Sequence, residues 1–114
     1  MFRNVKISLY LVLLLLFIAF KTSSQTIQWQ NTIGGNDTDW ADFIELTTDG
    51  NYISGGYSYS NISRDKTENS RGASDFWLFK IDDISGSILW QKTIGGNSTD
   101  YLITAKETID GGFI

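Results

Sequence analysis

Ile27-Gln28-Trp29-Gln30-Asn31-Thr32-Ile33-Gly34-Gly35-Asn36-Asp37-Thr38-Asp39-Trp40 returns, at an offset of 61 residues, as Ile88-Leu89-Trp90-Gln91-Lys92-Thr93-Ile94-Gly95-Gly96-Asn97-Ser98-Thr99-Asp100-Tyr101. The same offset carries Asp49-Gly50-Asn51-Tyr52-Ile53 onto Asp110-Gly111-Gly112-Phe113-Ile114, so the correspondence runs without a gap to the last residue. A fixed period of this size marks one supersecondary unit used repeatedly, each copy unable to bury its apolar faces alone. About one and a half copies are present, over residues 25–87 and 88–114. The second is truncated, stopping at Ile114 within what reads as a strand.

Inside the unit the hydrophobic period is two. Ile27, Trp29 and Ile33 alternate with Gln28, Gln30 and Thr32, and Ile88, Trp90 and Ile94 repeat the pattern, as half-buried strands do. Strands are predicted over 27–33, 41–47, 51–57, 75–81 and 87–94. Thr48-Asp49-Gly50 and Ser85-Gly86 supply tight turns, because Asp and Gly tolerate positive φ. Phe76-Trp77-Leu78-Phe79 is apolar at successive positions and reads as a strand buried on both faces. The polar connection from Ser58 to Ser74 reads as a solvated surface loop. The expected fold is therefore all-β, built of antiparallel four-stranded propeller blades with a period of 61. A β-solenoid, with shorter coils and parallel pairing, fits the hairpin turns poorly.

Composition agrees. The chain has 114 residues with 11 Gly, 4 Trp, 5 Tyr and 7 Phe, and no Cys, His or Pro. Without Cys or His, thiol nucleophiles, imidazole acid–base chemistry, Ser/His/Asp triads and most zinc sites are excluded. Arg3 and Lys6 precede an apolar run from Ile7 to Phe20, followed by Lys21-Thr22-Ser23-Ser24-Gln25. A run of this length suits the core of a signal peptide, roughly 7–15 residues, better than a bilayer span of roughly 20. Thr22 and Ser24 fit the small-residue positions of a cleavage site after Ser24, so residues 1–24 are read as an export signal. Without Arg3, Lys6 and Lys21 the nine bases fall to six against thirteen acids, a balance of −7 in place of −4. Such a surface is a poor partner for nucleic acid or an anionic membrane, and no stable membrane insertion is expected after cleavage.

The combination Trp-Gln-x-Thr-Ile-Gly-Gly, Asp-Gly-Asn-Tyr-Ile-Ser-Gly-Gly-Tyr-Ser and Asp-Phe-Trp-Leu-Phe-Lys-Ile-Asp resembles the repeats of secreted bacterial β-propeller-repeat proteins of the Bacteroidota type. The resemblance covers residues 27–114. It implies an exported, multi-blade protein, often carrying a C-terminal sorting domain, whose first partners are its own further blades.

Three groups of residues are candidate sites. Asn36, Asp37 and Asp39 place oxygen ligands at near-alternating positions, as Ca2+ loops do. In the second copy Ser98 replaces Asp37, and capping of the turn by side-chain hydrogen bonds is the simpler account. Asp65, Glu68 and Asp75 are carboxylates in or beside the long connection, where a glycosidase pair is conceivable; the interleaved Arg64, Lys66 and Arg71 point instead to solvated ion pairs. Trp40, beside a turn and matched by Tyr101, is a candidate platform for a sugar ring, whereas Trp29 and Trp90 at equivalent positions read as packing residues. Three Asn-x-Ser/Thr triplets at Asn36, Asn61 and Asn97 are read as coincidental. The function expected is a secreted or surface-attached, non-enzymatic repeat protein presenting loops to a protein or a polysaccharide. The alternative is a propeller scaffold of a carbohydrate-active enzyme whose catalytic residues lie elsewhere.

Overall fold

The computed structural model describes residues 24–114, together with Leu11; the export segment expected over residues 1–24 otherwise falls outside the described residues. Four strands, β1 (Asp39–Leu46), β2 (Tyr52–Ser58), β3 (Asp75–Ile81) and β4 (Ile88–Ile94), form one antiparallel sheet in the order β1-β2-β3-β4. The protein is all-β, as its period-two pattern requires. Among the described residues no helix is long and apolar enough to cross a membrane.

The β1–β2 hairpin turns at Thr47–Asn51. Thr47 Oγ1 donates to Asp49 Oδ1 at 2.6 Å, Gly50 N donates to Thr47 O at 3.0 Å, and Gly50 takes φ 86°, which a side chain would strain. From this turn the register runs Leu46↔Tyr52 to Asp39↔Ser58, with a bulge between Ala41 and Phe43. The β3–β4 turn is held by Asp82, whose Oδ1 accepts from Ser85 N and Ser85 Oγ, both at 2.7 Å. These bonds, with one from Ile84 N, hold the Asp82 carboxyl below its ordinary range.

Both faces of the sheet are covered over β2 and β3, while β1 and β4 remain largely exposed. Ile53 and Leu78 pack with Ala105, Leu102, Phe113 and Phe43 on one side. On the other, Trp77, Phe79 and Ile81 pack with Trp29, Ile33, Tyr52 and Ile88. Strand β3 thus buries successive side chains on opposite faces, as Phe76-Trp77-Leu78-Phe79 suggested. The first face is covered by a second hairpin near residues 106–114, where Lys106 and Ile114 exchange both backbone hydrogen bonds, at 2.7 and 2.9 Å. Its turn carries the bonds of the first: Thr108 Oγ1 donates to Asp110 Oδ1, Gly111 N to Thr108 O, and Gly111 takes φ 80°.

Two expectations are corrected. Residues 27–33 are not a strand, despite their alternation. Their side chains lie over the sheet, with Trp29 Nε1 donating to Asp83 O at 2.7 Å and Asn31 Nδ2 to Gly86 O at 3.0 Å, and their backbone has no ladder to join. The sheet instead takes β4 as its fourth strand, so it draws on both sequence copies. The connection from Ser58 to Ser74 is not simply a solvated loop: Ser60, Lys66 and Ser74 are buried and tie it to the end of the sheet.

Candidate functional site

An aromatic cluster gathers where β1 begins and β2 ends. Trp40 and Tyr57 are register partners, which places them on one face of the sheet. Their rings lie 6.1 Å apart and 17° from parallel. Tyr101 meets Tyr57 edge-on at 4.6 Å, and Tyr59 does so at 6.3 Å. Tyr101 is carried there by a segment anchored through Asp100, which donates its N–H to Ser74 O at 2.8 Å and accepts from Gly96 N at 2.8 Å. Trp40 is 56% exposed and Tyr101 52%, large apolar areas for residues left in water. Partial desolvation, reinforced by the negative charge of Asp42, pushes the Tyr57 phenol up. A hydrogen bond with Tyr59 does the same for Tyr101. Both phenols are neutral at pH 7, and the Tyr101 hydroxyl is donated to Tyr59.

Of this cluster, Trp40 was singled out from sequence and Tyr101 only as its counterpart. Tyr57 and Tyr59 were missed. Their one sequence signal is two tyrosines at alternate positions in an otherwise small and polar stretch, Ser54–Ser60.

Asn36, Asp37 and Asp39 form a capped turn. Asp39 Oδ2 accepts from Gly35 N at 2.7 Å and from Ser60 Oγ at 3.3 Å, and its Oδ1 accepts from Ser58 Oγ at 2.5 Å. Asp37 Oδ1 accepts from Thr38 N at 2.7 Å, and Asn36 Oδ1 from Ser63 Oγ at 3.0 Å. The carboxylates are thus spent on protein donors. Among the described residues no group of three or more acidic side chains converges to hold a metal ion.

The carboxylates of the long connection are each engaged by protein donors. Asp65 Oδ2 accepts from Gly34 N at 3.0 Å. Glu68 accepts from Lys92 Nζ and from Thr93 N, both at 2.5 Å, and these donors hold its carboxyl down. Asp75 is fully buried, with Oδ2 accepting from Arg71 N at 2.8 Å and Oδ1 without a partner. Lys66 was expected in a solvated pair and is 1% exposed. Its ammonium donates to Glu68 O at 2.6 Å and Thr93 Oγ1 at 2.9 Å. Burial pulls its pKa down, and the charges of Asp75, Asp39 and Glu68 push back. These residues pin the loop to β4.

The tryptophans expected to pack divide. Trp77 is buried and Trp29 half-buried, whereas Trp90 lies at the rim, 37% exposed and 5.7 Å from Phe113. Beside Trp90 a groove of about 580 Å³ follows the outer side of β4, between residues 87–91 and a wall made by Asn31, Asp65 and Thr67. Sequence reasoning did not find it. Compared with protein-family models, with curated proteins and with solved structures, the chain matched none.

Proposed function

We propose that this chain belongs to an exported, non-enzymatic β-propeller-repeat protein of the secreted bacterial type, acting at or beyond the cell surface by binding a neutral polysaccharide. The observation that carries the reading is the Trp40–Tyr57 pair with Tyr101 beside it. The exposed Trp40 ring, backed by the half-buried Tyr57 and flanked by the exposed Tyr101, offers a flat apolar face to the C–H side of a pyranose, and phenolic hydroxyls at the rim exchange hydrogen bonds with sugar hydroxyls. The propeller reading is supported by the repeat at an offset of 61 and by a four-stranded antiparallel sheet with further chain on both faces. Other blades are then the first partners. Export rests on residues 1–24.

A glycan array on the whole protein, followed by titration calorimetry with the best neutral oligosaccharide, tests the reading. Trp40→Ala is expected to weaken binding by about tenfold or more. Indifference to every glycan, or equal binding by the variant, overturns it.

A further inference from the structure

We infer that the groove along the outer side of β4 is a strand-addition site, which takes an extended peptide segment carrying a basic residue. Five consecutive residues, 87–91, line it. On a strand, successive side chains point to opposite faces, so a groove confined to one face touches every second residue. A lining of successive residues places the groove against the edge itself, where backbone groups are offered.

Ser87 is taken up by the β3–β4 turn, its N–H donating to Ser85 Oγ at 3.3 Å and its C=O accepting from Asp82 N at 2.9 Å, whereas the outward side of the backbone beyond it is unused among the described residues. Strand β4 pairs only with β3 among the described residues. Thr93 lies opposite Trp77 and turns its N–H away from β3, to the Glu68 carboxylate. In an antiparallel pair this outward direction recurs at every second residue, so Gln91 also presents its N–H and C=O outward. The edge is thus divided. Glu68 occupies it at Thr93, which stops an incoming strand, and the groove leaves it open over 88–91, with Leu89 as the extra residue where the register with β3 shifts.

Charge selects the occupant. The lining holds one carboxylate, Asp65, and no cation. Asp65 is exposed and makes no ion pair among the described residues, so a lysine or arginine of the incoming segment finds a partner there and an acidic segment does not. Asn31 and Thr67 add polar contacts, and Trp90 and Leu89 add apolar surface for alternate side chains of the segment. This is peptide recognition by sheet extension, in which main-chain bonds supply affinity and flanking groups supply selectivity. It is independent of the polysaccharide reading, which concerns Trp40 at the end of the β1–β2 pair.

The test is a fluorescence-anisotropy titration of the whole protein with a labelled hexapeptide, Thr-Val-Lys-Val-Thr-Val. Its analogue methylated on alternate backbone nitrogens is expected to bind about tenfold or more weakly, because the ladder donors are gone. Asp65→Asn keeps an acceptor for Gly34 N. It is expected to weaken binding about threefold or more, and to leave a norleucine-for-lysine peptide unaffected. Gln91→Pro is expected to bind more weakly than Gln91→Ala, since both lose the side chain and only the first loses the N–H. Circular dichroism of each variant confirms an intact sheet. Absence of saturable binding below about 1 mM, or equal affinity for the methylated analogue, overturns the inference.

Discussion

Glu45 and Lys106 hold equivalent positions in the two sequence copies, and their side chains meet at 2.8 Å. At this pair the two hairpins meet like position against like position. Perfect identity between copies would set two glutamates face to face, and the change of sign at residue 106 turns that repulsion into attraction. Lys106→Glu is expected to destabilise the sheet by about 0.5 kcal/mol at low salt, and less at high salt. The double reversal Glu45→Lys with Lys106→Glu is expected to restore stability. Urea unfolding at two ionic strengths checks both.

Gly86 lies under the Trp29 indole with φ 71°, and a Cβ there would run into the ring. Gly86→Ala combines backbone strain with displacement of Trp29, and is expected to cost about 2 kcal/mol or more. Trp29→Phe loses only the bond to Asp83 O and part of the packing, and is expected to cost less. Thermal unfolding of the two variants orders them.

Glu68 ties the long connection to β4, and its donors hold its carboxyl below its ordinary value of 4.5. A carboxyl lowered by folding adds stability that is fully present above 4.5 and lost as pH falls through the lower folded value. Glu68→Gln is expected to flatten part of the acid slope between about pH 5 and pH 2. Asp49, Asp82 and Asp110 are lowered as well and keep the remainder of the slope. Urea midpoints across that range provide the comparison.

Lys66 is a buried cation with Asp75 and Asp39 nearby. Lys66→Met leaves the buried Asp75 without its nearby positive charge, and is expected to cost about 2 kcal/mol or more at pH 7. Burial lowers the Lys66 pKa, so the folded state binds fewer protons than the unfolded chain between the folded value and 10.5. Stability carried by this group therefore rises with pH in that window. The gap between native protein and variant is expected to widen as pH rises towards 10.5. The raised phenols of Tyr57 and Tyr101 act alike in both proteins and cancel.

Strands β1 to β4 were legible in the sequence because alternation and turn chemistry are local. Asp75–Ile81 matches its predicted bounds, since a run buried on both faces leaves no choice of register. The segment 27–33 was misread for the converse reason: alternation reports a strand-like side-chain pattern, while a ladder needs a neighbouring backbone. Trp40 was found through its position beside a turn. Tyr57 became its neighbour through the Trp40↔Tyr57 register across the bulge at Ala41/Phe43, and a bulge is not written in residue types. The burial of Lys66 was hidden because charged residues in a polar loop look solvated until the loop folds back on the sheet. The groove escaped because an open edge is a property of pairing, not of composition.

The two Thr-x-Asp-Gly turns have a kinetic consequence. Each closes within five residues through its own side chains, and the second forms where only one isolated bridge, Glu107↔Phe113, extends it. Contacts this local form on the microsecond scale, ahead of the distant pairing between β3 and its neighbours. The chain thus begins folding at two independent seeds. Assembly is therefore expected to run outward from the two reversals.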